Sequence, residues 1–313
     1  PAIFIEGDAT DPLLEILSIT SSKPFELLVS VKLAAADAAA RSYEVGIIEN
    51  TPIPEIDETA RSTLVALGRN AWSRKRSLIS VEETSSAFHL PTALRARLGG
   101  FDRTSIEAEL ANIQAEIDDI AFDLYGFTDA DRAATLGSTG STDEDASDAA
   151  EDSDDSEDSA TVVDHTDGLL SWAAGVGFGR FDWRLATGER VAPPEPEPFD
   201  PLPAKSPGML PDDAEPFYAH SGILVDDQGH PNDLARLIEE VLARVEAPVP
   251  ADVRRWLQRD FFPLHLKQYS KSRRKAPIYW PISTSSGSYT LWLYYPSLTD
   301  QTLFTAVNDF IEP

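Results

Sequence analysis

Residues 104–126 read TSIEAELANIQAEIDDIAFDLYG and are the clearest periodic stretch of the sequence. Their large apolar residues recur at alternating intervals of four and three, which is typical of one face of an α-helix. These residues are Ile106, Leu110, Ile113, Ile117, Ile120 and Leu124. Thr104 and Glu107 predict a capping box at the start of this helix, and Gly126 predicts its end.

A second apolar seam precedes this helix. Its residues, at related spacing, are Ala60, Leu64, Leu67, Ala71 and Leu78. Pro91 and Gly99-Gly100 lie in the loop between the two seams. Two seams of similar length joined by such a loop predict an antiparallel helical hairpin. The alternative is that both helices pack on a sheet.

Several shorter runs indicate β-strands, because they are rich in β-branched and aromatic residues. Three of them, Ala2–Ile5, Phe25–Leu33 and Tyr43–Ile48, lie near the start of the chain. Two more, residues 278–283 and 289–295, flank a Ser-Ser-Gly turn and predict a β-hairpin. Residues 193–216 contain nine prolines and predict an extended chain.

An acidic tract separates these elements into two lobes. Residues 137–166 consist almost wholly of Ser, Thr, Asp, Glu, Ala and Gly, with too little apolar surface to offset chain entropy. We expect a disordered acidic linker there. The predicted fold class is therefore mixed α+β, with a strand-containing lobe and helical hairpin in 1–136. A lobe of helices, the proline-rich segment and the β-hairpin follows in 167–313.

Charge and composition exclude several classes of protein. The 313 residues carry 53 acidic and 26 basic side chains, a net charge of −27, and contain no cysteine. Disulfide scaffolds and Cys-ligated metal sites are thereby excluded. No stretch approaches the roughly 18 apolar residues of a membrane span, and no signal peptide is recognisable. We therefore expect a cytoplasmic protein with no membrane partner.

Signatures of a catalytic centre are missing from the sequence. The five histidines lack the spacing of a zinc site, and neither a P-loop nor a G-x-S-x-G elbow occurs. The glycine-rich run Gly175 to Gly179 is followed by Arg180, where a dinucleotide fingerprint needs Gly or Ala. We predict no catalytic residue, no bound cofactor and no metal site in this chain.

Positive charge is concentrated in two places. Residues 251–280 hold eight basic and two acidic side chains, and residues 61–103 hold eight basic and three acidic ones. Clustered Arg and Lys next to aromatic residues suit a phosphate backbone and its bases. The predicted DNA-binding residues are Lys267, Lys271, Arg273, Arg274, Lys275, Tyr279, Trp280, Arg74, Lys75 and Arg76. The alternative for 267–280 is a solvated basic turn with its aromatics in the core, and for 74–76 a solvated helix face.

Four segments, in the same order along the chain, resemble the C-terminal region of large adenine-specific DNA methyltransferases. The longest is YSKSRRKAPIYW at 269–280, followed by GSYTLWLYY at 287–295. The other three are YEVGIIENTPIP at 43–54, EIDDIAFDLYG at 116–126 and LSWAAGVGFGR at 170–180. This family includes fused type IIG-like restriction–modification enzymes and BREX phage-defence methylases (PglX-like).

The resemblance implies that the chain corresponds to the target recognition domain and C-terminal domain of such an enzyme. The family's Asn-Pro-Pro-Tyr-type loop, which holds the flipped adenine, and its S-adenosylmethionine loop do not occur here. Residues 50–54, NTPIP, come closest but lack the adjacent prolines and the aromatic residue. S-adenosylmethionine is thus expected in a missing N-terminal methyltransferase lobe. The implied partners are double-stranded DNA, that missing lobe and other proteins of the defence system.

A hypothesis from a different class remains open beside this one. Residues 141–167 hold twelve acidic side chains and no Lys or Arg. Such a row of charge can imitate DNA toward a basic partner. On this reading the protein is an acidic interaction module that does not bind DNA.

Overall fold

The computed structural model describes residues 9–35, 45–138, 165–271 and 274–311. The described residues confirm the mixed α+β class. The predicted acidic linker lies almost wholly outside them, as does the predicted strand Ala2–Ile5. None of the described helices is both long and apolar enough to cross a membrane.

Helices dominate the described part of the chain. In order they are α1 (Thr10–Thr20), α2 (Lys23–Ala35), α3 (Val45–Glu49), α4 (Glu58–Ile79), α5 (Thr92–Arg97), α6 (Arg103–Tyr125), α7 (Asp129–Ser138), α8 (His165–Gly177), α9 (Arg184–Thr187), α10 (Leu234–Arg244), α11 (Val253–Arg259), α12 (Phe261–Gln268) and α13 (Thr302–Ala306). A π-helical segment, Val307–Ile311, continues α13. The strands are β1 (Ile223–Asp226), β2 (Ser270–Lys271), β3 (Arg274–Lys275), β4 (Tyr279–Ser283) and β5 (Thr290–Tyr294).

These elements form two compact units that interleave along the chain. Among the described residues, the first unit takes those up to Leu78, those from Asp102 to 138, and Glu195–Pro201. The second takes Ile79–Phe101 and the described residues from 165 onward, apart from Glu195–Pro201. The predicted lobes, 1–136 and 167–313, differ from these units in two segments: Ile79–Phe101 belongs to the second unit and Glu195–Pro201 to the first. They depend on contacts between residues far apart in sequence, which composition does not reveal.

The described residues of the first unit form helices and connecting segments and no strand, which corrects the strand prediction there. Phe25–Leu33 lies within α2, and the described part of Tyr43–Ile48 lies within α3. A short apolar run fits a buried strand or a buried helix equally well. In α2, Phe25 and Val29 are four residues apart and both are 5% exposed, so they bury one helical face.

The predicted antiparallel helical hairpin is confirmed in α4 and α6. Leu64 near the start of α4 shares an apolar cluster with Ala121 near the end of α6. At the opposite end, Arg74 of α4 forms an ion pair of 2.6 Å with Glu109 of α6. The predicted capping box is wrong, because the Asp102 carboxylate caps α6 by accepting from the amides of residues 104 and 105. Gly126 ends α6 in a left-handed conformation, as predicted.

The core of the second unit forms among α8, α10, α11, α12 and a small sheet. The sheet has the antiparallel order β1-β5-β4, and its β4–β5 pair is the predicted β-hairpin. Leu169 to Gly177 of α8 are all buried. Trp292 belongs to the cluster that contains α8, whereas its neighbour Leu293 packs with Ala306 of α13 on the other sheet face. Alternate residues of β5 therefore serve two cores. The proline-rich segment forms no helix or strand, and hydrogen-bonded turns at 197–200, 206–209 and 211–214 interrupt the predicted extended chain.

Candidate nucleic-acid interface

The basic segment near the end of the chain forms a short two-stranded ribbon. Strands β2 and β3 pair antiparallel, with Ser270 opposite Lys275 and Lys271 opposite Arg274. Residues 270–275 are called the basic hairpin below. Arg274 and Lys275 are exposed, as is Lys267 just before it, and none of the three forms an ion pair with another described residue. The Lys271 side chain and Arg273 lie outside the described part.

A buried polar network holds the residue that precedes the basic hairpin. The Tyr269 hydroxyl donates to Glu83 Oε1 at 2.8 Å. Arg180 Nη1 donates to the same oxygen at 3.0 Å and also to the Tyr269 hydroxyl. The Ser171 hydroxyl donates to Glu83 Oε2 at 2.6 Å. Because both Glu83 oxygens are occupied, the carboxylate fixes α8, the chain after it and the start of the hairpin together.

Protonation keeps Tyr269 a donor in this network. Burial raises the pKa of Tyr269 above its ordinary value, and the charge of Glu83 acts in the same direction. The charge of Arg180 opposes this shift without reversing it. The neutral phenol therefore persists at physiological pH and keeps its hydrogen bond to the carboxylate.

A buried histidine fixes the chain that leaves the basic hairpin. His265 of α12 is 0% exposed, and its Nε2 accepts from the Ile278 amide at 2.9 Å and more weakly from the Tyr279 amide at 3.4 Å. The Ala276 amide donates to the Tyr269 carbonyl at 2.9 Å, which closes the base of the hairpin. Burial, followed by the charge of Arg180, lowers the pKa of His265 to about 3. A neutral imidazole keeps Nε2 free to accept.

Tyr279, one of the predicted DNA-binding residues, lies in the core, which is the alternative that the sequence left open for the aromatics. Tyr279 is 0% exposed, and its ring stacks on that of Phe178 with centroids 4.8 Å apart. Successive residues of a strand point to opposite faces, so Trp280 turns outward when Tyr279 turns inward. Trp280 is 46% exposed and its indole donates to the Pro277 carbonyl at 3.1 Å. Trp280 alone of this aromatic pair presents a surface to a ligand.

The second predicted cluster, on α4, is largely neutralised by the chain itself. Arg74 is paired with Glu109. The Arg76 guanidinium lies 5.7 Å from the Trp72 ring centre and 3.9 Å from Glu195. Lys75 is exposed and forms no ion pair with a described residue. The α4 cluster belongs to the first unit and the basic hairpin to the second, so they do not form one patch within a unit.

Sequence reasoning missed the three buried residues that position the basic hairpin: Glu83, Arg180 and His265. Only Arg180 stood out in the sequence. It follows the glycine-rich run Gly175 to Gly179 at the position where a dinucleotide-binding loop would have Gly or Ala. Glu83 and Arg180 are 97 residues apart, and nothing in either local pattern predicts that they meet. Within the described residues, no group of three or more His, Asp or Glu could hold a metal ion.

The segments that carry the methyltransferase resemblance form two contacting pairs. In the second unit, residues 170–180 and 269–280 meet through the Arg180–Tyr269 hydrogen bond and the Phe178–Tyr279 stack. In the first unit, the Tyr125 hydroxyl at the end of 116–126 donates to the Pro52 carbonyl of 43–54 at 2.8 Å. No protein-family model matches the chain, and no curated protein is significantly similar to it.

Proposed function

We propose that this chain binds double-stranded DNA through the basic hairpin. We further propose that it is the target-recognition and C-terminal part of an adenine-N6-specific, S-adenosylmethionine-dependent DNA methyltransferase. The enzyme would serve restriction–modification or phage defence in the cytoplasm. The observation that carries DNA binding is an exposed pair of cations, Arg274 and Lys275, on a ribbon anchored in the core at both ends.

The net charge of the protein opposes DNA binding, so the local charge of the basic hairpin decides the interaction. With a net charge of −27, the protein as a whole repels a phosphate backbone. Local contacts act differently, since exposed charges more than about 10 Å apart are largely screened at 0.1 M salt. Lys267, Arg274 and Lys275 have no described carboxylate partner to displace. Their attraction to phosphate is therefore not offset by a broken ion pair.

The contacts between the resembling segments support the assignment to a methyltransferase. Within each unit, two of these segments that are distant in sequence contact each other, so the quoted residues contribute to the scaffold of their own unit. A scaffold role fits a recognition part that holds flanking DNA while a separate lobe, with its own S-adenosylmethionine, acts on the flipped base. The expected partners are duplex DNA, that lobe and other defence proteins.

The test is fluorescence anisotropy of a labelled duplex titrated with the chain at several salt concentrations. Arg274→Ala with Lys275→Ala should weaken binding about tenfold and reduce the salt slope by about two phosphate contacts. The matched control, Lys205→Ala with Arg236→Ala, removes the same charge from cations already paired with Asp212 and Glu240. It should change affinity less than about twofold.

Each of three results would overturn part of this proposal. Equal weakening by the hairpin and control variants would show that only net charge matters. Absence of duplex binding by the parent chain would favour the acidic interaction module, whose residues 141–158 lie outside the described part. Transfer of a methyl group from S-adenosylmethionine to duplex DNA by this chain alone would overturn the assignment of catalysis to another lobe.

A further inference from the structure

An acidic segment of the chain lies on the arginine-bearing face of α4. Glu195–Pro201, called the acidic strap below, belongs to the first unit although its neighbours in sequence belong to the second. Arg69 forms an ion pair with Glu197. The Ser73 hydroxyl donates to Glu195 Oε2 at 2.9 Å, and Arg76 Nε lies 3.9 Å from Glu195 Oε1. Two strap carboxylates thus occupy one side of the helix.

The three residues that meet the strap are spaced to act together. Arg69, Ser73 and Arg76 lie four and then three residues apart, which places them on one face of a helix. Guanidinium and hydroxyl groups donate to carboxylate and phosphate oxygens with similar geometry. The strap carboxylates thus occupy the donors of this face within the chain.

The contacts that hold the strap are weak and polar. The Glu197 and Glu195 side chains are 64% and 44% exposed. The Arg69–Glu197 pair is exposed on both sides, and such pairs contribute little to stability and weaken further with salt; the Arg76 side chain is 14% exposed. Phe199 is 50% exposed, so the strap buries little apolar surface; Pro198 is its only buried residue. A ligand with several phosphates can compete with such contacts.

Release of the strap would disturb little else. The strap forms no helix or strand, and its prolines restrict the backbone whether or not it is bound. Its own turn is local, since the Glu197 amide donates to Asp200 Oδ2 at 3.0 Å. Arg69 also pairs with Asp11 of α1 at 3.2 Å, and that pair does not involve the strap.

We propose that the face of α4 formed by Arg69, Ser73 and Arg76 binds the phosphate backbone of duplex DNA, and that the acidic strap is its intramolecular competitor. This inference depends on the proposed function in taking DNA as the polyanion. It does not depend on the basic hairpin. The strap carboxylates stand where phosphate oxygens would bind, so the face is available only when the strap is displaced.

The test compares duplex binding of charge-neutral strap variants. Glu195→Gln with Glu197→Gln keeps the size of both side chains and removes their charge. It should tighten binding about threefold to tenfold and steepen the salt slope by about two phosphate contacts. The matched control, Glu55→Gln with Glu116→Gln, changes net charge equally at exposed residues of the same unit that form no ion pair with a described residue. Its effect should stay below about twofold.

Adding Arg69→Gln and Arg76→Gln to the strap variant should abolish the gain. Equal gains in the strap and control variants, or a gain that survives the loss of both arginines, would overturn the inference. The same comparison in the Arg274→Ala, Lys275→Ala background separates the two proposals. A gain there supports the α4 face even if the basic hairpin has no role, and absence of a gain overturns the face as an independent site.

Discussion

The Arg180 guanidinium donates to the Glu83 carboxylate at 3.0 Å, and the two side chains are only 8% and 6% exposed. This buried ion pair joins residues 97 apart in sequence. The guanidinium also lies 4.6 Å from the Phe181 ring centre and 5.2 Å from that of Tyr269. Charge, ring contacts and hydrogen bonds therefore converge where the basic hairpin leaves the core.

Glu83→Gln should destabilise the second unit strongly. The substitution leaves the Arg180 charge buried without its partner, and such losses cost about 3 to 5 kcal/mol. Urea unfolding followed by tryptophan fluorescence measures the change. Glu240→Gln is the control, because Glu240 pairs with Arg236 at the surface and should cost less than about 1 kcal/mol. Similar costs for both variants would show that Glu83 is not the centre of the network.

Replacing both members of the pair should be less harmful than replacing one. In Glu83→Gln with Arg180→Met no unpaired charge stays buried, so part of the lost stability should return. The same urea titration gives the free energy of unfolding of both single variants and the double variant. Strictly additive costs would indicate that the two side chains do not interact energetically.

Acid should weaken the second unit through His265. Burial lowers its pKa from 6.5 to about 3, so between these values the unfolded chain binds a proton that the folded chain does not. The stabilisation is complete above pH 6.5 and is lost as the pH falls toward 3. Its slope is about 1.4 kcal/mol per pH unit. His89, whose pKa burial lowers to about 4, acts in the same direction.

The contribution of His265 can be isolated by substitution. His265→Gln offers an acceptor in place of Nε2. Between pH 4 and 6 it should reduce the dependence of the free energy of unfolding on pH by the contribution of one proton. Urea unfolding at half-unit pH steps measures it, with His165→Gln as the control because His165 is exposed. If the pH dependence of the free energy of unfolding is the same in His265→Gln as in the parent chain, His265 is not its source.

Gly175 and Gly137 should respond to alanine in opposite ways. A Cβ at Gly175 of α8 would lie 2.6 Å from Cε2 of Phe181 and 3.2 Å from the Tyr279 hydroxyl. Overpacking of this kind costs about 1 to 3 kcal/mol. A Cβ at Gly137 of α7 meets no described atom within 4 Å, so Gly137→Ala should be neutral or stabilising by up to about 1 kcal/mol. Thermal unfolding of both variants checks the contrast.

Helices and strands with a clear local pattern could be predicted from the sequence, whereas contacts between residues far apart in the chain could not. The four-three spacing from Ile106 to Leu124 predicted α6, and Gly126 predicted its end. Tyr279 and Trp280 were both predicted to bind DNA, although adjacent residues of the predicted strand point to opposite faces. Phe25–Leu33 was ambiguous because a buried helix and a buried strand need the same apolar residues.

The candidate site shows the same limit. Arg274 and Lys275 were predicted from their charge and are exposed as expected. Their anchors were not predicted, since Glu83 and His265 carry no distinguishing local motif. The neutralisation of Arg76 by Glu195 was also invisible, because proline-rich composition predicts an extended chain without showing which helix it crosses.

Tyr269→Phe should loosen the basic hairpin while leaving its charge intact. The substitution keeps the ring but removes the hydroxyl that donates to Glu83 and accepts from Arg180, at a cost of about 1 to 3 kcal/mol. Ala276 donates to the Tyr269 carbonyl, so its amide should exchange with solvent faster. Duplex affinity should fall about threefold because the cations are less well preorganised.

Hydrogen exchange and anisotropy give both readouts, with Tyr295→Phe, a residue 62% exposed, as the control. Faster exchange without any loss of affinity would mean that the hairpin binds DNA without needing its anchor, and an unchanged exchange rate would mean that Tyr269 does not hold the hairpin.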